Sequence, residues 1–235
     1  MGKHGQYRAL VGLVAALAAG PAAAECRLAL VLALDVSASV DEREDALQRK
    51  GLARALVAPE VVEAFLADQA APVWLTVFEW SGPRTSAGLL DWLEIASEED
   101  LVLAAGAIAG SVRSRDDMPT ALGYALGYAA GRFRHGPDCD ARTVDVSGDG
   151  RNNEGFPPAS AYEAFPFAGV TVNGLAIAGG EAGVAEYYRR EMIRGPGAFV
   201  IEAKGFRDYE RAMRAKLLRE LQGPVIGMLA PGARG

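Results

Sequence analysis

Histidine and cysteine are scarce in this 235-residue chain, with two of each. Only His135 lies beyond residue 24, beside Gly136-Pro137 where a surface loop is expected. A Ser-His-Asp hydrolase therefore lacks its parts, and neither Ser37 nor Ser147 sits in a G-x-S-x-G elbow. There is no G-x-x-x-x-G-K phosphate cradle and no dinucleotide fingerprint. Basic residues are outnumbered, 24 Lys and Arg against 30 Asp and Glu, for a formal charge of −6. That balance argues against nucleic acid and anionic membrane as partners. No apolar run reaches the ~20 residues that a membrane span needs; Leu101 to Gly110 is too short. Internal repeats and low-complexity segments are missing too.

What is present begins with an export signal. Lys3 and Arg8 precede the apolar run Ala9 to Ala19, and Gly20-Pro21-Ala22-Ala23-Ala24 supplies a small-residue cleavage pattern. The expected organisation is a signal peptide over 1–24, one domain over 25–222 and a flexible Gly/Pro-rich tail over 223–235. Glu25 before Cys26 does not suit a lipoprotein. The protein is expected to be secreted or periplasmic, with no transmembrane anchor after cleavage. Without residues 1–24 the chain carries 22 basic and 30 acidic side chains, a formal charge of −8. In an oxidising compartment the pair Cys26 and Cys139 suggests a disulfide; two free or buried thiols are the alternative.

Leu28 to Leu34 is a continuous apolar run ending at Asp35, the pattern of a strand buried on both faces. A helical pattern follows over about 40–67, interrupted at Pro59. Further strands are expected over 73–78, 89–95 (at a sheet edge), 142–147, 170–177 and 198–203. Helices are expected over 98–112, 119–133, 183–193 and 209–221. This alternation specifies a doubly wound α/β fold, a mostly parallel open sheet with helices on both faces. Ligands of such sheets bind beyond the carboxyl ends of the strands, where the strand order reverses.

Oxygen-bearing residues collect at those ends. In Asp35-Val-Ser-Ala-Ser39 the extended period of two can turn Asp35, Ser37 and Ser39 the same way. Asp149 lies between Gly148 and Gly150 after another strand, and Thr120 follows Pro119 at an expected helix start. One by one these residues read as strand ends, helix caps and turns. Taken together they are the oxygen donors that a hard cation such as Mg²⁺ requires.

Asp35-x-Ser-x-Ser39, then Thr120, then Asp149-Gly150 resemble the metal-ion-dependent adhesion site of von Willebrand factor A (integrin I-like) domains, over about residues 27–222. Phe78-Glu-Trp-Ser-Gly82 and Asp145-Val-Ser-Gly-Asp-Gly-Arg-Asn-Asn153 resemble, more narrowly, a bacterial group of exported A-domain proteins of unassigned function. The resemblance implies one short antiparallel edge strand in the sheet. It also implies that Ser37, Ser39 and Thr120 bind Mg²⁺ (or Mn²⁺/Ca²⁺) directly, and Asp35 and Asp149 directly or through water. The shell is completed by an Asp or Glu carboxylate from a protein or peptide partner. Charge counting agrees, because two carboxylates and three neutral hydroxyls only just neutralise a divalent cation. The implied topology puts Cys26 and Cys139 on neighbouring strands, at the end away from the metal, where a bond is feasible. Such a module binds rather than catalyses.

Glu79, Asp117, Asn152 and Asn153 are candidates for the ligand rim; the plainer readings are an exposed acid beside a packed Trp80 for Glu79, a solvated acidic loop for Asp117, and a turn for the two asparagines. Tyr124 and Tyr128, four apart, read as packing. Two rivals stand beside this reading. One is a Mg²⁺-dependent phosphate-ester hydrolase, disfavoured because Ser37 stands where a second Asp is wanted and only Arg151 is near as a clamp. The other is an A-type scaffold that holds no metal. Zinc is disfavoured on donor type.

Overall fold

Cys26–Asp35 forms the central strand β1 of the computed structural model, which describes residues 26–222. The expected signal peptide and tail lie outside the described residues. β1 serves two cores by alternation. Leu28, Leu30, Leu32 and Leu34 face one helical layer, while Val31 and Ala33 face the other. β2 (Val73–Trp80) and β4 (Cys139–Gly148) flank it in parallel. β5 (Val170–Ile177) and β6 (Val200–Ala203) extend the sheet beyond β4. β3 (Ala87–Ile95) closes the opposite edge antiparallel to β2, with register shifts that break its alternation. The order β3-β2-β1-β4-β5-β6 reverses direction between β1 and β4. A binding crevice belongs at that point.

The leucine face of β1 is covered by α1 (Glu42–Leu56), α2 (Pro59–Phe65), α3 (Glu98–Ala109) and α7 (Tyr209–Leu221). The other face is covered by α4 (Leu122–Phe133), α5 (Pro158–Ala164) and α6 (Val184–Tyr187). α1 opens with a reciprocal cap between Asp41 and Glu44, and Pro59 restarts the chain as α2.

Two expected helices differ from the structure. The one expected from Pro119 begins only at Leu122. The preceding residues are held by neighbouring loops: Ala121 N donates to Ser81 O (2.9 Å), and Met118 O accepts from Ala38 N (2.8 Å). The one expected over 183–193 is α6 followed by a π-helical turn, Tyr188–Met192. α5, between Pro157 and Phe165, lies where no helix is expected from the sequence.

Cys26 and Cys139 are direct partners in the β1–β4 register and form a disulfide, with Cα atoms 4.6 Å apart. The bond lies at the amino ends of these strands. Asp35 and Gly148, at the point where the strand order reverses, lie at the carboxyl ends.

Candidate metal centre

The loop after β1 and the loop after β4 meet through their oxygens. Ser39 Oγ donates to Asp149 Oδ1 (2.7 Å) and lies 3.2 Å from Ser37 Oγ. Thr120 Oγ1 donates to Ser37 Oγ at 3.2 Å. Asp35 Oδ1 accepts from Ser37 N (2.8 Å), which tightens the turn and turns its carboxylate toward the same cluster. Asp35, Ser37, Thr120 and Asp149 are buried, whereas Ser39 is exposed. The cluster is thus a floor of carboxylates and hydroxyls reached from solvent past Ser39. All five side chains singled out from the sequence converge here, across separations of 83 and 110 residues.

Arg113 and Gln48, which carry no sequence signal, hold the floor in place together with two of the rim candidates. Arg113 donates to three backbone carbonyls of the first loop: Val36 O (2.7 Å), Ser37 O (2.7 Å) and Val40 O (2.8 Å). Gln48 Nε2 donates to Asp35 O at 2.9 Å. Asn153 Oδ1 accepts from Thr120 N (2.8 Å) and Asn152 Oδ1 from Gly123 N (3.2 Å). These two asparagines therefore brace the segment that carries Thr120.

The other rim candidates stand differently. Glu79 is not at the rim. It is fully buried, pairs with Arg49 Nη2 at 2.5 Å and accepts from Ser114 N at 2.8 Å. A buried carboxylate needs such partners, and Arg49 is held for it by Asp45. Asp117 is exposed and pairs with Arg115. Arg151, the only cation near the site in the sequence reading, is engaged by Glu181 and Ala182 O. Tyr124 and Tyr128 are half-buried; with Phe156, Phe165, Arg84 and Ser86 they line a groove of about 420 Å³.

The electrostatics are those of a cation site. Burial, and then the charge of Asp149, push the Asp35 carboxyl up to about 7, against hydrogen bonds from Ser37 and the charge of Arg113. Burial also raises Asp149, opposed by its hydrogen bond from Ser39. Asp35 Oδ2 is buried with no hydrogen-bond partner. An orphaned carboxylate oxygen beside a second carboxylate and three hydroxyls fits a hard divalent cation. Among the described residues no cluster of three or more His, Cys, Asp or Glu forms a metal site, so hydroxyls make up most of this donor set.

Comparison with known proteins places the fold. The proximal thread matrix protein 1 of the mussel byssus, in a structure with a zinc-occupied MIDAS motif, is 19% identical. The match has a TM-score of 0.62 and covers 85% of this chain and 49% of that one. A von Willebrand factor type A protein from Catenulispora acidiphila is 16% identical (TM-score 0.62), over 83% of this chain and 43% of that one. The pilus adhesin SpaC from Lactobacillus rhamnosus GG is 12% identical (TM-score 0.57), over 84% and 30%. The chain spans about half the length of the byssus protein. At these identities the likeness is one of fold, the von Willebrand factor A fold. No curated protein matches the sequence. A family model described as "Protein of unknown function (DUF1194)" matches residues 25–225, and the chain therefore belongs to the DUF1194 family.

Proposed function

We propose that the protein is an exported binding module that uses a divalent cation, held at Asp35, Ser37, Ser39, Thr120 and Asp149, to engage a carboxylate of a protein or peptide partner. The observation that carries this reading is the hydroxyl–carboxylate chain from Thr120 through Ser37 and Ser39 to Asp149, with Asp35 Oδ2 left unpaired. A bound cation supplies an electrophilic centre that is receptive to one further anionic ligand. The chain's own contribution is to fix the oxygens. Arg113 pins the loop bearing Ser37 and Ser39, Asn153 pins Thr120, and the β4 end presents Asp149.

Binding is favoured over phosphate-ester hydrolysis by the cations nearby. Arg113 is spent on backbone carbonyls and Arg151 on Glu181, which leaves neither directed at a substrate phosphate. The groove lined by Tyr124, Phe156 and Phe165 adds aromatic surface of the kind that protein interfaces favour. Mg²⁺ is the expected metal. Export rests on the signal-like residues 1–24; among the described residues no helix is long and apolar enough to cross a membrane.

Millimolar Mg²⁺ or Mn²⁺ should raise the melting temperature of the wild type, and Asp149→Ala should abolish the rise. Affinity capture from envelope extracts should then recover a partner that chelator releases and Asp149→Ala fails to hold. An unchanged melting temperature in wild type contradicts the metal-dependent reading and leaves the fold as a scaffold.

A further inference from the structure

Tyr188 is fully buried, and its hydroxyl has no hydrogen-bond partner. A hydroxyl in that position is destabilising unless it acquires a partner, and a phenylalanine would fill the same core space without that penalty. Three features of the backbone deliver it to the metal centre. Tyr188 opens the π-helical turn Tyr188–Met192, closed by Ile193 N donating to Tyr188 O at 3.0 Å. Such turns inside helices are frequent at functional sites. On β5, Gly174 makes way for the ring, because a Cβ there would lie 2.9 Å from Tyr188 Cδ2. On β4, Gly148 makes way for the hydroxyl: a Cβ there would lie 2.6 Å from Tyr188 Oη and 2.7 Å from Asp35 Oδ2. Asp35 Oδ2 and Tyr188 Oη, both unpartnered, therefore flank one small space beside Gly148.

We propose that Tyr188 is a positioning residue of the metal centre, its hydroxyl donating to Asp35 Oδ2 in the metal-loaded protein and fixing the orientation of that carboxylate. The proposal rests on the metal-binding reading above. A phenolic hydroxyl is a hydrogen-bond donor at neutral pH. Partners that orient a metal ligand typically account for about 10–100-fold in affinity. Neither the Asp-x-Ser-x-Ser segment nor the Thr120 and Asp149 segments contain this residue, and it reaches the site past Gly174 of β5.

The test is calorimetric titration of Mn²⁺ into wild type, Tyr188→Phe and Tyr187→Phe, with melting temperatures taken in chelator. Tyr188→Phe should weaken Mn²⁺ binding about tenfold or more. Its melting temperature in chelator should stay level or rise, because only an unpartnered hydroxyl is removed, and Tyr187→Phe should bind as wild type does. Equal affinity of wild type and Tyr188→Phe overturns the proposal while leaving the metal centre standing. Failure of the wild type itself to bind Mn²⁺ overturns both. A second measurement does not depend on the variant folding. Mg²⁺ added to wild type should shift the near-ultraviolet absorption of a buried tyrosine, and an unchanged spectrum contradicts the proposal.

Discussion

Gly148 sits where the end of β4 passes Asp35, and the space for a methyl group there is already taken by Asp35 Oδ2 and Tyr188 Oη. Gly148→Ala should cost about 1–3 kcal/mol of stability by overpacking, read from urea unfolding in chelator. It should also weaken metal binding by displacing Asp35; a variant as stable and as metal-responsive as wild type would contradict this geometry. At Asn153 the expected change is smaller. Asn153→Ala removes the acceptor of Thr120 N and should cost about 1 kcal/mol. At this scale the convergence of Asp35, Ser37, Ser39, Thr120 and Asp149 was legible because they lie near the ends of strands and the start of a helix, where an open α/β sheet gathers its loops. Arg113, Gln48 and Tyr188 were not. Arg113 reaches the carbonyl of Val36 across 77 residues, and Tyr188 meets Gly148 only through the fold, which no local pattern encodes. The burial of Glu79 was not legible for the same reason, since its partner Arg49 lies on another element.

Among the elements, α7 carries an ionic group into the interior. Lys216 lies 2.8 Å from Asp145 Oδ1 on β4 and 2.6 Å from Glu220 Oε1, and all three residues are buried. Asn173 on β5 donates to the same Glu220 oxygen at 2.8 Å. The ammonium approaches Asp145 off the line of a hydrogen bond, so both Asp145 oxygens lack hydrogen-bond partners. Lys216→Met should cost about 3–5 kcal/mol in urea unfolding, because it leaves two buried carboxylates without their cation. Asp145→Asn added to that variant should recover part of the loss, and additive losses would argue against the triad. The strands and α7 were legible from apolar runs and helical spacing. The late start of α4 and the π turn after α6 were not, because backbone hydrogen bonds from other loops and packing against Gly174 override the local pattern. β3 gave a weak signal because its pairing with β2 is shifted twice.

For the whole molecule, the disulfide and the candidate metal centre occupy opposite ends of β1 and β4. Replacing Cys26 and Cys139 with Ala opens a loop of separation 113 and should cost about 2–5 kcal/mol. Metal affinity should be unchanged, and a marked loss of affinity would mean that the two ends are coupled. The buried Asp145 also sets a pH dependence. Burial raises its carboxyl, with Lys216 opposing and Glu220 adding to the rise. The folded state then binds this proton more tightly than the unfolded chain, so stability from this residue is full below about pH 4 and is lost as pH rises toward neutrality. Asp35, raised to about 7 as well, acts in the same sense, so unfolding free energies in chelator should fall across that window and Asp145→Asn should remove part of the fall. Asp208, lowered to about 2 chiefly by its hydrogen bond from Arg211, acts in the opposite sense and only at more acidic pH. A profile that rises from pH 4 to 7 would contradict the assignment to Asp145.

The most direct measurement is anomalous diffraction from crystals of the full chain grown with Mn²⁺. A single strong peak should lie among the side-chain oxygens of Asp35, Ser37, Ser39, Thr120 and Asp149, and should vanish in Asp149→Ala. A peak elsewhere, or none at millimolar Mn²⁺, would contradict the central claim that these five residues form one cation site.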